Sequence, residues 1–138
     1  MTYLAADPFE LSNNRIHMEE GPRMRPLAVT ADFWERLADD PQLTGGRLLS
    51  FYSANEPGDV HPDVWEMHPE GDELLIVCSG ALDLELERSD STCTVGLSPQ
   101  TAFIVPAGIW HRLLLNEPSV LIAITNPSGT KHKRADGR

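Results

Sequence analysis

From residue 47 onward the chain alternates short apolar runs with turn residues. "RLLSFYS" (47–53) is bounded by Gly46 and the loop 55–62, and "VWEMH" (64–68) ends at the turn Pro69–Asp72. "ELLIVCS" (73–79) stops at Gly80. "LDLELE" (82–87) alternates cleanly, with Leu82, Leu84 and Leu86 on one face and three acids on the other. "TCTVGL" (92–97), "AFIV" (102–105), "WHRLLL" (110–115) and "VLIAIT" (120–125) follow. Short strands separated by turn signals predict an all-β sandwich or barrel, and no strand–helix–strand rhythm supports a parallel sheet.

"TADFWERLADD" carries the one helix signal. Thr30 can cap it, and Phe33 and Leu37 stand one turn apart. Residues 1–26 show no sustained period and contain Pro8, Pro22 and Pro26. They read as an arm over the body with room for one short strand. The expected organisation is an arm and helix (1–46), a barrel (47–126) and a basic tail (127–138). "LLIVC" and "VLIAI" do not alternate, so both faces of those strands need cover. A subunit interface is a natural cover, which predicts a homodimer.

The totals narrow the function classes. The 138 residues fit one domain, and 41% are apolar. No apolar run is long enough to cross a membrane, and the N-terminus shows no secretory pattern. Residues 1–130 hold seven arginines against twenty acids, a charge of −13. Such a body repels phosphate backbones, so nucleic acid is not an expected partner. The basic "KHKR" tail reads as a solvated end. Cys78 and Cys93 lack metal spacing and read as buried free thiols of a reducing cytoplasm.

The candidate chemistry lies in "WEMHPEGDE". Alternation puts Glu66 and His68 on one strand face, and Glu73 opens the next strand across the turn. His111 follows a second tight turn, Pro106–Gly108. Two carboxylates and two imidazoles suit a divalent transition ion such as Mn, Fe, Ni, Co or Zn. Glu66 has other readings: partner to a ligand imidazole, general base, or ion pair with Arg47. Glu70 and Asp72 read as solvated turn residues, with Asp72 bonding its own backbone. Trp65 and Trp110 fall on the opposite face and read as packing. His17, His61 and His132 read as exposed or loop residues, although His132 could fold back toward a pocket. No G-x-S-x-G elbow supports a serine nucleophile.

These residues resemble the two motifs of the cupins. His68, four residues, Glu73, six residues and Gly80 match the second half of the first motif. Pro106, Gly108 and His111 match the second, although Asn116 comes one residue late and Gln100 stands where a glycine leads the motif. "W-E-x-H-P-x-G-D-E" and "P-x-G-x-W-H" are similar to a subgroup of small bacterial cupins. The resemblance covers residues 47 to 125. It implies a double-stranded β-helix (jelly-roll) barrel and carries His68, Glu73 and His111 across as metal ligands. It does not carry Glu66, which stands where the family has its first histidine. Cupins of this size resemble dioxygenases, isomerases and lyases alike. The expectation is a metal-dependent enzyme on a small molecule; a non-catalytic binding or sensing module with a modified or lost metal site stays open beside it.

Overall fold

A computed structural model describes residues 7–43 and 45–135. Nine strands and one helix follow each other: β1 (Asn14–Met18), β2 (Met24–Ala28), α1 (Phe33–Asp39), β3 (Arg47–Ala54), β4 (Val64–Met67), β5 (Glu73–Glu87), β6 (Thr92–Leu97), β7 (Thr101–Val105), β8 (His111–Thr125) and β9 (Lys131–Arg134). Every pairing is antiparallel, in the order β2-β1-β3-β8-β4-β9. β5 lies along β8 and takes β7 on its first half and β6 on its second. This is the expected all-β jelly-roll architecture.

The core follows the alternation read from the sequence. Leu82, Leu84 and Leu86 are buried, opposite Leu97, Val95 and Cys93 of β6 and Leu115, Leu113 and His111 of β8. Each such leucine stabilises the fold by about 1.5–3 kcal/mol. His111 therefore inherits an inward position from the row it closes.

β5 and β8 are each longer than the separate strands expected. Gly80 does not end its strand. It adopts φ +88, and the ladder continues through bulges between Val77 and Leu82. A Cβ there would run into Ser119 Oγ and the Pro118 carbonyl. Ser119 Oγ instead accepts from the Ala81 amide at 3.0 Å, so a hydroxyl stands in at the break. Gln100 is also left-handed, at φ +65, which is the conformation for which glycine is favoured.

The N-terminal arm contributes two strands where one was allowed for. β1 and β2 form a hairpin whose first strand pairs with β3. His17 is thereby buried, 2% exposed, with its Nε2 bonded to the Gly45 carbonyl at 2.9 Å, and is not the loop residue expected. Helix α1 buries Phe33 and Leu37 against Leu43 and Leu48 as its spacing predicts. Its N-cap is Asp32, and Thr30 bonds the Asp32 side chain instead of capping. The cysteines correct a further expectation: Cys78 is exposed and Cys93 only partly buried, and Cys78 follows Leu74 and Ile76 on the outer face of β5 by simple alternation. Residues 1–6 and 136–138, part of the arm and tail readings, lie outside the described residues.

Candidate metal centre

Two turns bring the site together. Pro69–Asp72 joins β4 to β5, and Pro106–Gly108 precedes β8. The Gly108 amide donates to the His68 carbonyl at 2.9 Å. The Ala107 amide donates to Asp72 Oδ1 at 2.9 Å. Asp72 thus ties one turn to the other, and not to its own backbone as expected. Gly108, at φ +81, permits the sharp second turn.

Glu66 faces His111 across the β4–β8 pair, and His68 and Glu73 flank the hairpin. His68, Glu73 and His111 are buried; the Glu66 side chain is 40% exposed. Glu73 Oε1 lies 2.9 Å from His111 Nε2, and its Oε2 lies 3.4 Å from His68 Nε2. Glu66 Oε1 lies 2.7 Å from the same His68 nitrogen. One donor atom from each residue can be chosen so that all four lie within 4.8 Å of one another.

The outer nitrogens decide what the inner ones can do. His111 Nδ1 lies 3.0 Å from the Ile109 carbonyl, which can only accept, so Nδ1 carries a proton. His68 Nδ1 lies 2.8 Å from Thr130 Oγ1, whose own hydrogen goes to the Pro127 carbonyl at 2.7 Å. His68 therefore also donates through Nδ1. Both Nε2 atoms point at carboxylates. A lone pair facing a carboxylate is repulsive, so each contact needs a proton or a shared cation. His68 Nε2 is buried and has no aligned hydrogen bond, despite the 2.7 Å approach of Glu66. A nitrogen held between two carboxylates fits a shared cation, and the mixed N/O donor set fits a divalent transition ion.

Without a cation the group is held by charge. Burial alone would lower the His68 pKa, but the Glu66 and Glu73 carboxylates outweigh it and raise it to about 9. Burial would raise Glu73, but His111 and His68 outweigh it and hold it at about 2. Glu66 is likewise lowered, burial being outweighed by His68.

A cavity of about 470 Å³ opens onto Glu66, Glu73 and His111. Its walls are mainly apolar, including Val64, Leu75, Leu113 and Leu121. His61 and His132 also border it. The turn Pro57–Val60 contributes Asp59 and Val60 to the lining.

Other expectations sort out by position. Arg47 is exposed and borders a separate hollow with Glu70 and Asn126, so it is not the partner of Glu66. Glu70 is an exposed turn residue as expected. Trp65 is buried under the Arg112 guanidinium, 5.0 Å from its centroid, and Trp110 lies under Lys133 Nζ at 4.5 Å. Both tryptophans are packing residues. The tail departs from the solvated end expected: β9 pairs with β4 and places His132 Nε2 3.4 Å from Glu66 Oε2. Thr130 was not singled out by its sequence position, because a lone threonine in a "PSGT" turn carries no motif.

Comparisons with known proteins bear on the fold and the family. A family model described as "Cupin domain" matches residues 52–125. No curated protein matches the chain. Among solved structures, oxalate decarboxylase from Bacillus subtilis is 17% identical over 65% of this chain and 24% of its own, with a TM-score of 0.50. The Lactobacillus farciminis oxalate decarboxylase formate complex is 12% identical over 65% and 27%, with a TM-score of 0.51. A cupin-2 domain containing protein from Shewanella frigidimarina NCIMB 400 is 20% identical over 56% and 68%, with a TM-score of 0.42. The chain spans about a quarter of the oxalate decarboxylases, and these likenesses speak to the fold. A family match over more than half of its residues, with the two-turn site inside that match, makes the chain a member of the cupin family.

Proposed function

We propose that Glu66, His68, Glu73 and His111 hold one divalent transition ion, and that the protein uses it to act on a small molecule bound in the adjoining cavity. The observation that carries this reading is the convergence of four donor atoms within 4.8 Å, with His68 Nε2 buried between two carboxylates and its other ring nitrogen already committed. Two carboxylates neutralise a divalent ion, which also explains why acids gather here. A bound ion would polarise an oxygen of the small molecule. The protein's own part is to orient and to move protons. Glu73 is locked between two imidazoles and serves to hold the cluster. Glu66 is half exposed to the cavity and, when displaced from the ion, is the carboxylate placed to take or return a proton there. The cavity combines apolar walls with ionisable side chains, Asp59, His61, Arg112 and His132 among them, and so suits a compact molecule that carries polar groups.

An enzyme of the dioxygenase, isomerase or lyase type is the favoured class, because four donors leave positions open on a six-coordinate ion. The name of one neighbour includes Mn(II) centres in Bacillus subtilis oxalate decarboxylase, so manganese belongs among the ions tested. Free Cys78 and Cys93 suit a reducing cytoplasm. Among the described residues no helix is long and apolar enough to cross a membrane. Nucleic acid is no partner for so acidic a body.

We also propose a homodimer through the outer face of the sheet. There the register aligns Leu49, Ile124, Leu74 and Ile104 in one row and Phe51, Ile122 and Ile76 in the next. Ile104 is 60% exposed, and the rows carry no charge in a chain of net −10. A second copy can lay the same uncharged face against this one without bringing acids together.

Elemental analysis of protein made in metal-supplied medium and purified without chelator tests the main reading. About one equivalent of a transition metal is expected on the one-site geometry. A content well under one equivalent contradicts it.

A further inference from the structure

Residues 127–135 lie beyond the stretch matched by the family model, yet they touch two of the four donor residues. The turn 127–130 closes through Thr130 N to the Pro127 carbonyl at 3.2 Å. The Thr130 hydroxyl donates to the same carbonyl at 2.7 Å. Its hydrogen is thus spent, and its oxygen is available only as an acceptor for His68 Nδ1–H. β9 then runs along β4 with His132 opposite Glu66. Lys133 anchors the strand by gripping both Glu87 oxygens at 2.9 and 3.0 Å, and the Ala135 amide donates to the Asp63 carbonyl at 2.8 Å.

A strand that merely covered the edge of β4 would need only its backbone and would be indifferent to these side chains. Here the side chains engage the donors specifically. Glu66 has one oxygen toward His68 and the other toward His132. His68 has one nitrogen toward the carboxylates and the other toward Thr130.

We propose that this C-terminal strap is a positioning element of the metal centre. Thr130 fixes the His68 ring with Nε2 inward, and His132 holds the outer oxygen of Glu66 so that Oε1 faces the ion. The effect on metal affinity rests on the metal-binding reading above; the effect on the His68 ring does not. Neither residue touches the reacting atoms.

The full-length chain, freed of metal by chelation, is compared with Thr130→Val, Thr130→Ser and His132→Ala. His132 is 57% exposed at the side chain, so its variant should fold even if a Thr130 variant does not. Nitrogen-edited proton NMR of the metal-free protein should show a protected His68 Nδ1–H signal, lost in Thr130→Val and kept in Thr130→Ser. Titration with Co(II) against a competing chelator should show affinity about 10–100-fold weaker for Thr130→Val and several-fold weaker for His132→Ala. The visible spectrum of bound Co(II) should shift in both, and Thr130→Ser should stay close to the parent. The proposal is overturned if Thr130→Val keeps the ring signal, or if both variants bind Co(II) like the parent with an unchanged spectrum. A parent that takes up no Co(II) removes the metal-binding reading and the affinity claim with it, while the ring signal still decides whether Thr130 holds His68.

Discussion

Glu66 differs from its three neighbours in exposure: its side chain is 40% exposed, against 5 to 8% for the others. It is the donor most able to leave, and the one whose chemistry a substitution can change without disturbing the core. Glu66→Gln keeps the volume and removes the charge, so metal affinity should fall at least about tenfold, read by competition titration. Glu66→His restores a strong donor and should retain the ion while changing its preference among metals. If both leave metal content and identity untouched, Glu66 does not bind the ion. The buried pair makes a separate statement about pH. His68 is raised to about 9, so its contribution is fully present below its ordinary 6.5 and lost as pH rises through 9. Glu73 is lowered to about 2, so its contribution is present above its ordinary 4.5 and lost as pH falls through 2. Metal-free protein should therefore draw most stability from this pair between pH 4.5 and 6.5. Thermal unfolding across pH 3 to 10 should show that maximum, and Glu73→Gln should flatten it. A parent profile as flat as the variant's would contradict the ion-pair account.

At the scale of elements, the long bent strands β5 and β8 depend on Gly80 and Ser119. Gly80→Ala adds a Cβ at positive φ against backbone and hydroxyl, and should cost about 2–4 kcal/mol in chemical denaturation. Near-parent stability would mean that the break at Gly80 is not strained. Most strand positions were legible because apolar alternation and turn residues mark them directly, as in "LDLELE". The joining of 73–79 to 82–87 was not, because a glycine reads equally as a stop or as a bend. β9 was invisible for another reason. "KHKR" has no apolar period, and its strand state comes from backbone pairing with β4 and from Lys133 meeting Glu87, both tertiary effects. The same holds for His17, buried only because an arm without periodicity folds as a hairpin on β3. Within the site, His68, Glu73 and His111 were legible from spacing, and Glu66 from alternation. Thr130 was not, since it lies more than sixty positions from the residue it touches; for His132 a return toward a pocket was legible, but not its contact with Glu66.

For the whole molecule, charge and apolar surface are divided. The tail places Lys133 against Glu87 and His132 against Glu66, while the outer sheet face carries aliphatic rows. Ile104→Asp puts a charge at the most exposed point of those rows and should convert a dimer to a monomer in sedimentation, with metal content unchanged. A parent that sediments as a monomer would remove the dimer. The central claim is the ion itself. Diffraction data collected at the absorption edge of the bound metal, on crystals of protein never exposed to chelator, address it directly. The expected result is one anomalous peak about 2.0–2.2 Å from His68 Nε2, His111 Nε2 and an oxygen each of Glu66 and Glu73. The absence of a peak there, or a peak held by other residues, would contradict the account.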